Sequence, residues 1–337
     1  MFLTSQKKYR TEILCIYGAI LLLNISAWGS ALVVFAQQPL LMGTALLSFG
    51  LGLRHAVDAD HIAAIDNVTR KLIQTGQKPV ATGFFFALGH SSVVILACLL
   101  IAWSSTEIST RFDNMKEIGG LIGTLVSASF LFIIAAINAL LLRATYRSWQ
   151  VLKKTGIYSE ENMSMPGTGL IARLLGPMFR LIRRSWQMYP LGFLFGLGFD
   201  TATEIALLGV AATQSSSGLS VWAIMIFPLL FCAGMTLVDT LNGHLMIGAY
   251  GWAQVQPQRK LFYNMTITFI SVIVAVLIGT FEVVQLLSDK LHVQGLLVRL
   301  ADLFNPYVAI LGYGIIGVLV LTLTTSLFLD KIRSSRA

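Results

Sequence analysis

Charge is what this chain has least of: 12% of its 337 residues are Asp, Glu, Lys or Arg, against roughly a quarter in an ordinary soluble domain. That scarcity excludes a soluble globule. No charged side chain occurs between Ile13 and Leu53, and comparable uncharged stretches run over 79–106, 118–142, 205–238, 261–281 and 303–329. Each can hold the roughly 20 residues that cross a bilayer. Cysteine is scarce as well. Cys15, Cys98 and Cys232 lie inside apolar blocks without the close pairing of a disulfide framework or a zinc knuckle, and read as small hydrophobes. The net charge is +8, yet the basic residues form no continuous stripe, which argues against a nucleic-acid partner. A G-x-x-x-x-G-K-[ST] phosphate loop and an H-E-x-x-H zinc-hydrolase motif are both missing. The first apolar stretch outlasts the roughly 7 to 15 residues of a signal-peptide core and ends at no clear cleavage site, so it reads as a retained span.

What is present is a series of eight apolar blocks, near residues 13–36, 40–67, 80–103, 118–142, 190–212, 220–250, 261–287 and 305–329. The expected fold class is therefore an all-α polytopic membrane protein with eight transmembrane helices, one transmembrane domain over residues 1–337. Cytoplasmic segments carry the excess of Lys and Arg. With both termini inside, nineteen of the 24 basic residues are cytoplasmic, Arg70 and Lys71 after the second span among them; four lie outside and Arg54 falls within a span. The expected location is the cytoplasmic (inner) membrane, with both termini cytoplasmic. The connection 143–189 mixes apolar pairs with Arg173, Arg180, Arg183 and Arg184, the pattern of a cytoplasmic interfacial loop on an anionic leaflet.

An internal echo accompanies this pattern. Phe49-Gly50-Leu51-Gly52 recurs as Phe195-Gly196-Leu197-Gly198, and Phe86-Ala87-Leu88-Gly89 is loosely echoed by Phe231-Cys232-Ala233-Gly234, at offsets of 146 and 145. The second span runs inward and the fifth outward, so the echo suggests an inverted repeat relating spans 2–3 to spans 5–6. Such repeats commonly hold a substrate near the midplane. Glycine pairs taken alone also serve close helix packing.

Ionisable groups inside hydrocarbon cost about 2.5–3.5 kcal/mol each on insertion scales, so those present usually face a cavity or a partner. The second span carries Arg54, His55, Asp58, Asp60, His61 and Asp66. On one unbroken helix, His55, Asp58 and His61 fall within roughly 120° of arc while Asp60 points elsewhere. Neutral imidazole suits nickel, copper, zinc and iron, whereas all-oxygen sites suit magnesium, calcium or manganese. Asp60 and Asp66 are candidates to orient the imidazoles by accepting their second N–H. His90 in the third span, Asp200 and Glu204 in the fifth, and Asp239 and Asn242 in the sixth extend the polar set. Interhelical hydrogen bonding is the structural alternative. One arginine, Arg54, cannot neutralise six carboxylates, so a cation or protons must supply the difference.

The stretch Arg54 to Ile62, RHAVDADHI, resembles the second-span signature of the nickel/cobalt transporter (NiCoT) family, with its His-x4-Asp-His pattern. Leu88-Gly89-His90-Ser91, the run Leu197 to Glu204, and Gly234-Met235-x-Leu237-x-Asp239-Thr240 are similar to that family's other signatures, in order. The resemblance covers about residues 40 to 250 and implies secondary uptake of Ni²⁺ or Co²⁺, driven by membrane potential or proton coupling. His55, Asp58 and His61 would be central, with His90 and Asp60 as further metal ligands. Arg54, Asp66, Asp200, Glu204, Asp239 and Asn242 would line the pathway or support the ligands. The metal is then a transported substrate, no cofactor is expected, and the remaining partner is the bilayer. The family often has Asp where this chain has Asn242. A membrane-embedded metal hydrolase and a metal-binding subunit of a larger transporter are the rival readings.

Overall fold

The computed structural model of the chain describes residues 2–103, 106–155, 182–197, 202–253 and 257–291, with the single residues 299, 314 and 317. These are helical, with no strand among the described residues. The helices are α1 (Phe2–Phe35), α2 (Pro39–His55), α3 (Ala59–Gln74), α4 (Thr82–Trp103), α5 (Thr106–Thr155), α6 (Met188–Gly196), α7 (Ala202–Ser216), α8 (Val221–Ile224), α9 (Ile226–Ala253) and α10 (Pro257–Leu291). Among the described residues, five segments are long and apolar enough to cross a membrane: Tyr9–Phe35, Thr82–Trp103, Leu121–Val151, Val221–Gly248 and Thr268–Ser288. The helices α2 and α3 make a sixth if taken as one span bent by 50°. The chain is thus an all-helical, multi-pass membrane protein.

Two expectations change here. The second span is not one unbroken helix: α2 stops at His55 and α3 restarts at Ala59, so the 100°-per-residue projection across 55–61 does not apply. The fourth span's helix also runs on to Thr155, taking in the first part of the segment read as a loop over 143–189. The rest of that segment up to residue 181 lies outside the described residues, as do the greater part of the eighth apolar block and Asp200.

The chain divides into two compact units. The first comprises residues 1–61, 80–127 and 185–243, and the second residues 62–79, 128–184 and 244–337. In the first unit, small residues set the spacing of the helices: Ala27 and Ala31 of α1, Ala45 of α2, Ala87 and Ala97 of α4, Ala211 of α7 and Ala233 of α9 share one buried cluster. Helices in lipid gain by such close van der Waals approach. A methyl group at Gly52 of α2 would collide with the Phe231 carbonyl of α9, and one at Gly192 of α6 with the Phe86 carbonyl of α4. Of the glycines in the echoed segments, Gly52, Gly89, Gly196 and Gly234 are therefore packing positions, while Gly50 faces open space. Larger rings fill what remains, with Phe35 stacked on Phe227 at 5.3 Å and Phe86 edge-on to Phe195 at 5.4 Å.

The second unit is held differently. Arg70 of α3 is only 2% exposed, although hydropathy placed it in a cytoplasmic loop. Its guanidinium donates to Asn67 Oδ1 and to Thr268 Oγ1 of α10, both at 2.7 Å. Asn138 of α5 also donates to Asn67 Oδ1, and Ser271 of α10 donates to Asp66 at 2.9 Å. Hydrogen bonds across helices are worth about 1–2 kcal/mol in model peptides and average about 0.6 in one measured membrane protein. Polar contacts here join α3, α5 and α10.

Candidate metal site

Three imidazoles meet in the first unit. His55 ends α2, His61 lies in the first turns of α3 and His90 sits mid-way along α4. All three are buried, with ring centroids 4.6–4.8 Å apart. One ring nitrogen from each lies within 4.8 Å of the others. The break between α2 and α3 makes this possible, because it bends the chain between the first two histidines while α4 supplies the third.

Carboxylates fix the rings. His61 Nδ1 lies 3.2 Å from Asp239 Oδ2 on α9. An ionised carboxylate only accepts, so Nδ1 carries the proton and Nε2 keeps its lone pair. That Nε2 is buried and has no hydrogen-bond partner among the described residues. His55 Nδ1 is 3.2 Å from Asp58 Oδ2 and 3.0 Å from Thr203 Oγ1, which likewise leaves its Nε2 as the donor to a metal. His90 Nε2 is 3.0 Å from His55 Nε2 and 2.8 Å from Glu204 Oε1, while its Nδ1 is buried without a partner. Carboxylate partners of this kind orient imidazoles and raise their basicity towards a metal.

Aromatic rings wall the cluster. Phe86 stands edge-on to His61 at 4.9 Å and Phe231 lies 5.4 Å from His55. These are the first residues of the two echoed segments, so the echo marked the walls of the site as well as its packing glycines. Thr203, Phe86 and Phe231 were not among the sequence candidates for the site. The only available signals were the echo for the rings and adjacency to Glu204 for the threonine.

The remaining candidates separate. Arg54 pairs with Asp58 at 3.7 Å from a side chain that is 43% exposed. Asp60 makes no described hydrogen bond, although its charge acts on His61 and Asp239. The imidazole contacts expected of Asp60 and Asp66 are made instead by Asp58, Glu204 and Asp239. Asp66 belongs to the second unit, with Ser271 as a partner. Asn242 is buried in the first unit, and neither polar atom of its amide finds a hydrogen-bond partner among the described residues. Asp200 lies outside the described residues. Buried imidazole nitrogens and carboxylates with so few opposing charges are groups that a cation would compensate.

A multi-pass helical membrane protein with such a cluster inside it has the build of a metal transporter or of a membrane-embedded metal hydrolase, and its family is one of transporters. The chain belongs to the high-affinity nickel-transport protein family, which it matches over residues 41–329. It is 50% identical over 333 residues to the high-affinity nickel transport protein of Cupriavidus necator, covering 98% of this chain and 95% of that one. With NixA of Helicobacter pylori, named a high-affinity nickel-transport protein, it shares 41% over 322 residues, or 93% and 95% of the two chains. The cobalt transport protein NhlF of Rhodococcus rhodochrous is 37% identical over 336 residues, or 97% and 94%. No solved structure matches the chain.

Proposed function

We propose that this chain takes up Ni²⁺ or Co²⁺ across the cytoplasmic membrane as a secondary permease, binding the ion at His55, His61 and His90. The observation that carries this reading is the convergence of three buried imidazole nitrogens within 4.8 Å, a donor set suited to late first-row metals. The names of its relatives, nickel for two and cobalt for one, agree with it. A divalent ion moving down an inside-negative potential gains about 4.6 kcal/mol per 100 mV. That suffices for roughly a thousandfold accumulation without ATP.

The proposal takes the chain as one transport domain of eight spans with both termini in the cytoplasm and residues 143–189 on the cytoplasmic side. Its moving parts are two inverted repeats. Supporting this, α3 follows the echoed segment of α2 and α7 follows the echoed segment that begins in α6, so that α3 and α7 are corresponding second halves. Both second halves end on a glycine at positive φ, Gly76 at 80° after α3 and Gly218 at 81° after α7. At each, paired backbone hydrogen bonds run back into the last helical turn, as in a helix C-cap. Rocking of such repeats around a central site would expose it to either side in turn.

Uptake of radioactive nickel and cobalt into liposomes containing the purified chain tests this. The expected result is accumulation that depends on an inside-negative potential and is lost in His55→Ala. Folded wild-type protein that moves neither metal would overturn it.

A further inference from the structure

We infer that Glu204 is itself a ligand of the transported ion and a determinant of which metal is taken. The inference rests on the reading of the histidine cluster as the metal site. Asp58 and Asp239 each approach the Nδ1 of an imidazole, the nitrogen turned away from the metal. Glu204 alone among the described carboxylates approaches the Nε2 side. Its Oε1 lies 2.8 Å from His90 Nε2 and 3.9 Å from His55 Nε2, and those two nitrogens are 3.0 Å apart. The one proton here is that of His90 Nε2–H, shared between Glu204 Oε1 and His55 Nε2. An ion that displaces it finds three donor atoms converging, where a carboxylate acting only as an orienting partner needs a single imidazole N–H.

The spacing carries chemical information. Around a metal with bonds of about 2.1 Å, two donors stand about 3.0 Å apart at a right angle and about 3.4 Å apart at the tetrahedral angle. Two edges of this triangle match right-angled pairs, and the third opens wider. Tetragonal nitrogen–oxygen surroundings suit Ni²⁺, whereas zinc takes tetrahedral sites. Glu204 is 2% exposed and lies in the first turn of α7. Its neighbour Thr203 contacts Nδ1 of the same His55. The start of α7 therefore addresses both nitrogens of one ring and sets its angle to the carboxylate.

The test is equilibrium binding of Ni²⁺ and Zn²⁺ to the full-length protein in detergent, with ligand-field absorption of the nickel form. Loss of an orienting carboxylate costs roughly 10–100-fold in affinity. Glu204→Gln is expected to exceed that, with more than about a hundredfold loss for nickel, a smaller loss for zinc and shifted ligand-field bands. Wild-type bands and an unchanged nickel-to-zinc affinity ratio in Glu204→Gln would overturn the inference. His61→Ala separates the two readings. If it abolishes nickel binding while Glu204→Gln binds normally, only the role of Glu204 falls; if His61→Ala binds nickel normally, the histidine site falls too. Nickel-edge X-ray absorption of the wild type decides the matter even if the glutamine variant does not fold. A five- or six-coordinate edge is expected, and a tetrahedral one would overturn the inference.

Discussion

The first unit and the second each bury a polar cluster, but the two clusters differ in how protons and lone pairs are matched. In the second, Arg70 brings a permanent positive charge and several N–H donors, which Asn67 and Thr268 accept. In the first, three imidazoles and the carboxylates of Asp58, Glu204 and Asp239 contribute mainly acceptors. The nearest described arginine, Arg54, stands at the exposed margin. A cluster that carries its own cation acts as an internal tie. One that lacks it gains by admitting a cation from outside, since uncompensated buried negative charge is costly.

The strongest way to break that contrast is to remove a donor from the first cluster. His61→Ala is expected to reduce potential-driven nickel uptake in proteoliposomes to background, because it removes a buried Nε2 that has no hydrogen-bond partner among the described residues and is held ready for the proposed ion. Next in size is Asp239→Asn. The ring of His61 stays but loses the acceptor that holds its tautomer, and nickel affinity by equilibrium dialysis is expected to fall roughly 10–100-fold. The second cluster should respond in the opposite manner. Arg70→Met removes the donor to Asn67 and Thr268, so thermal unfolding in detergent is expected to shift down by about 1–2 kcal/mol. Nickel affinity of the folded variant should stay unchanged. A variant with normal stability and lost metal binding would show that the two clusters are not distinct in kind.

The chemistry of the first cluster was legible in the sequence because ionisable residues are conspicuous in hydrocarbon, and histidine beside aspartate has few uses there. Geometry was less legible. The projection of His55, Asp58 and His61 onto one face assumed an unbroken helix, and the interruption after His55 sends Asp58 to the far nitrogen of His55 instead. Arg70 was misread for a related reason. Hydropathy ends a span at the first cluster of charges, and nothing local reveals that Thr268, 198 residues away, waits to accept a guanidinium. The sequence leaves Glu204 and Asp239 as residues that line the pathway or support the ligands, because their pairing with His90 and His61 depends on contacts between helices distant in sequence. Phe86 and Phe231 were visible only as members of an echo whose glycines drew the attention.

Asn242 offers the smallest and sharpest test of the contrast. It sits three residues beyond Asp239 on α9, buried, with no hydrogen-bond partner for either polar atom of its amide among the described residues. If charge anywhere near the histidines tuned the metal, Asn242→Asp would alter the nickel-to-cobalt ratio markedly. The contacts argue otherwise, since the three imidazoles are held by Asp58, Thr203, Glu204 and Asp239 and none of them by Asn242. The substitution is therefore expected to change the ratio of nickel to cobalt uptake by less than about threefold, under 1 kcal/mol. A tenfold change in competition assays would extend the functional site beyond the histidine cluster and make the amide part of it.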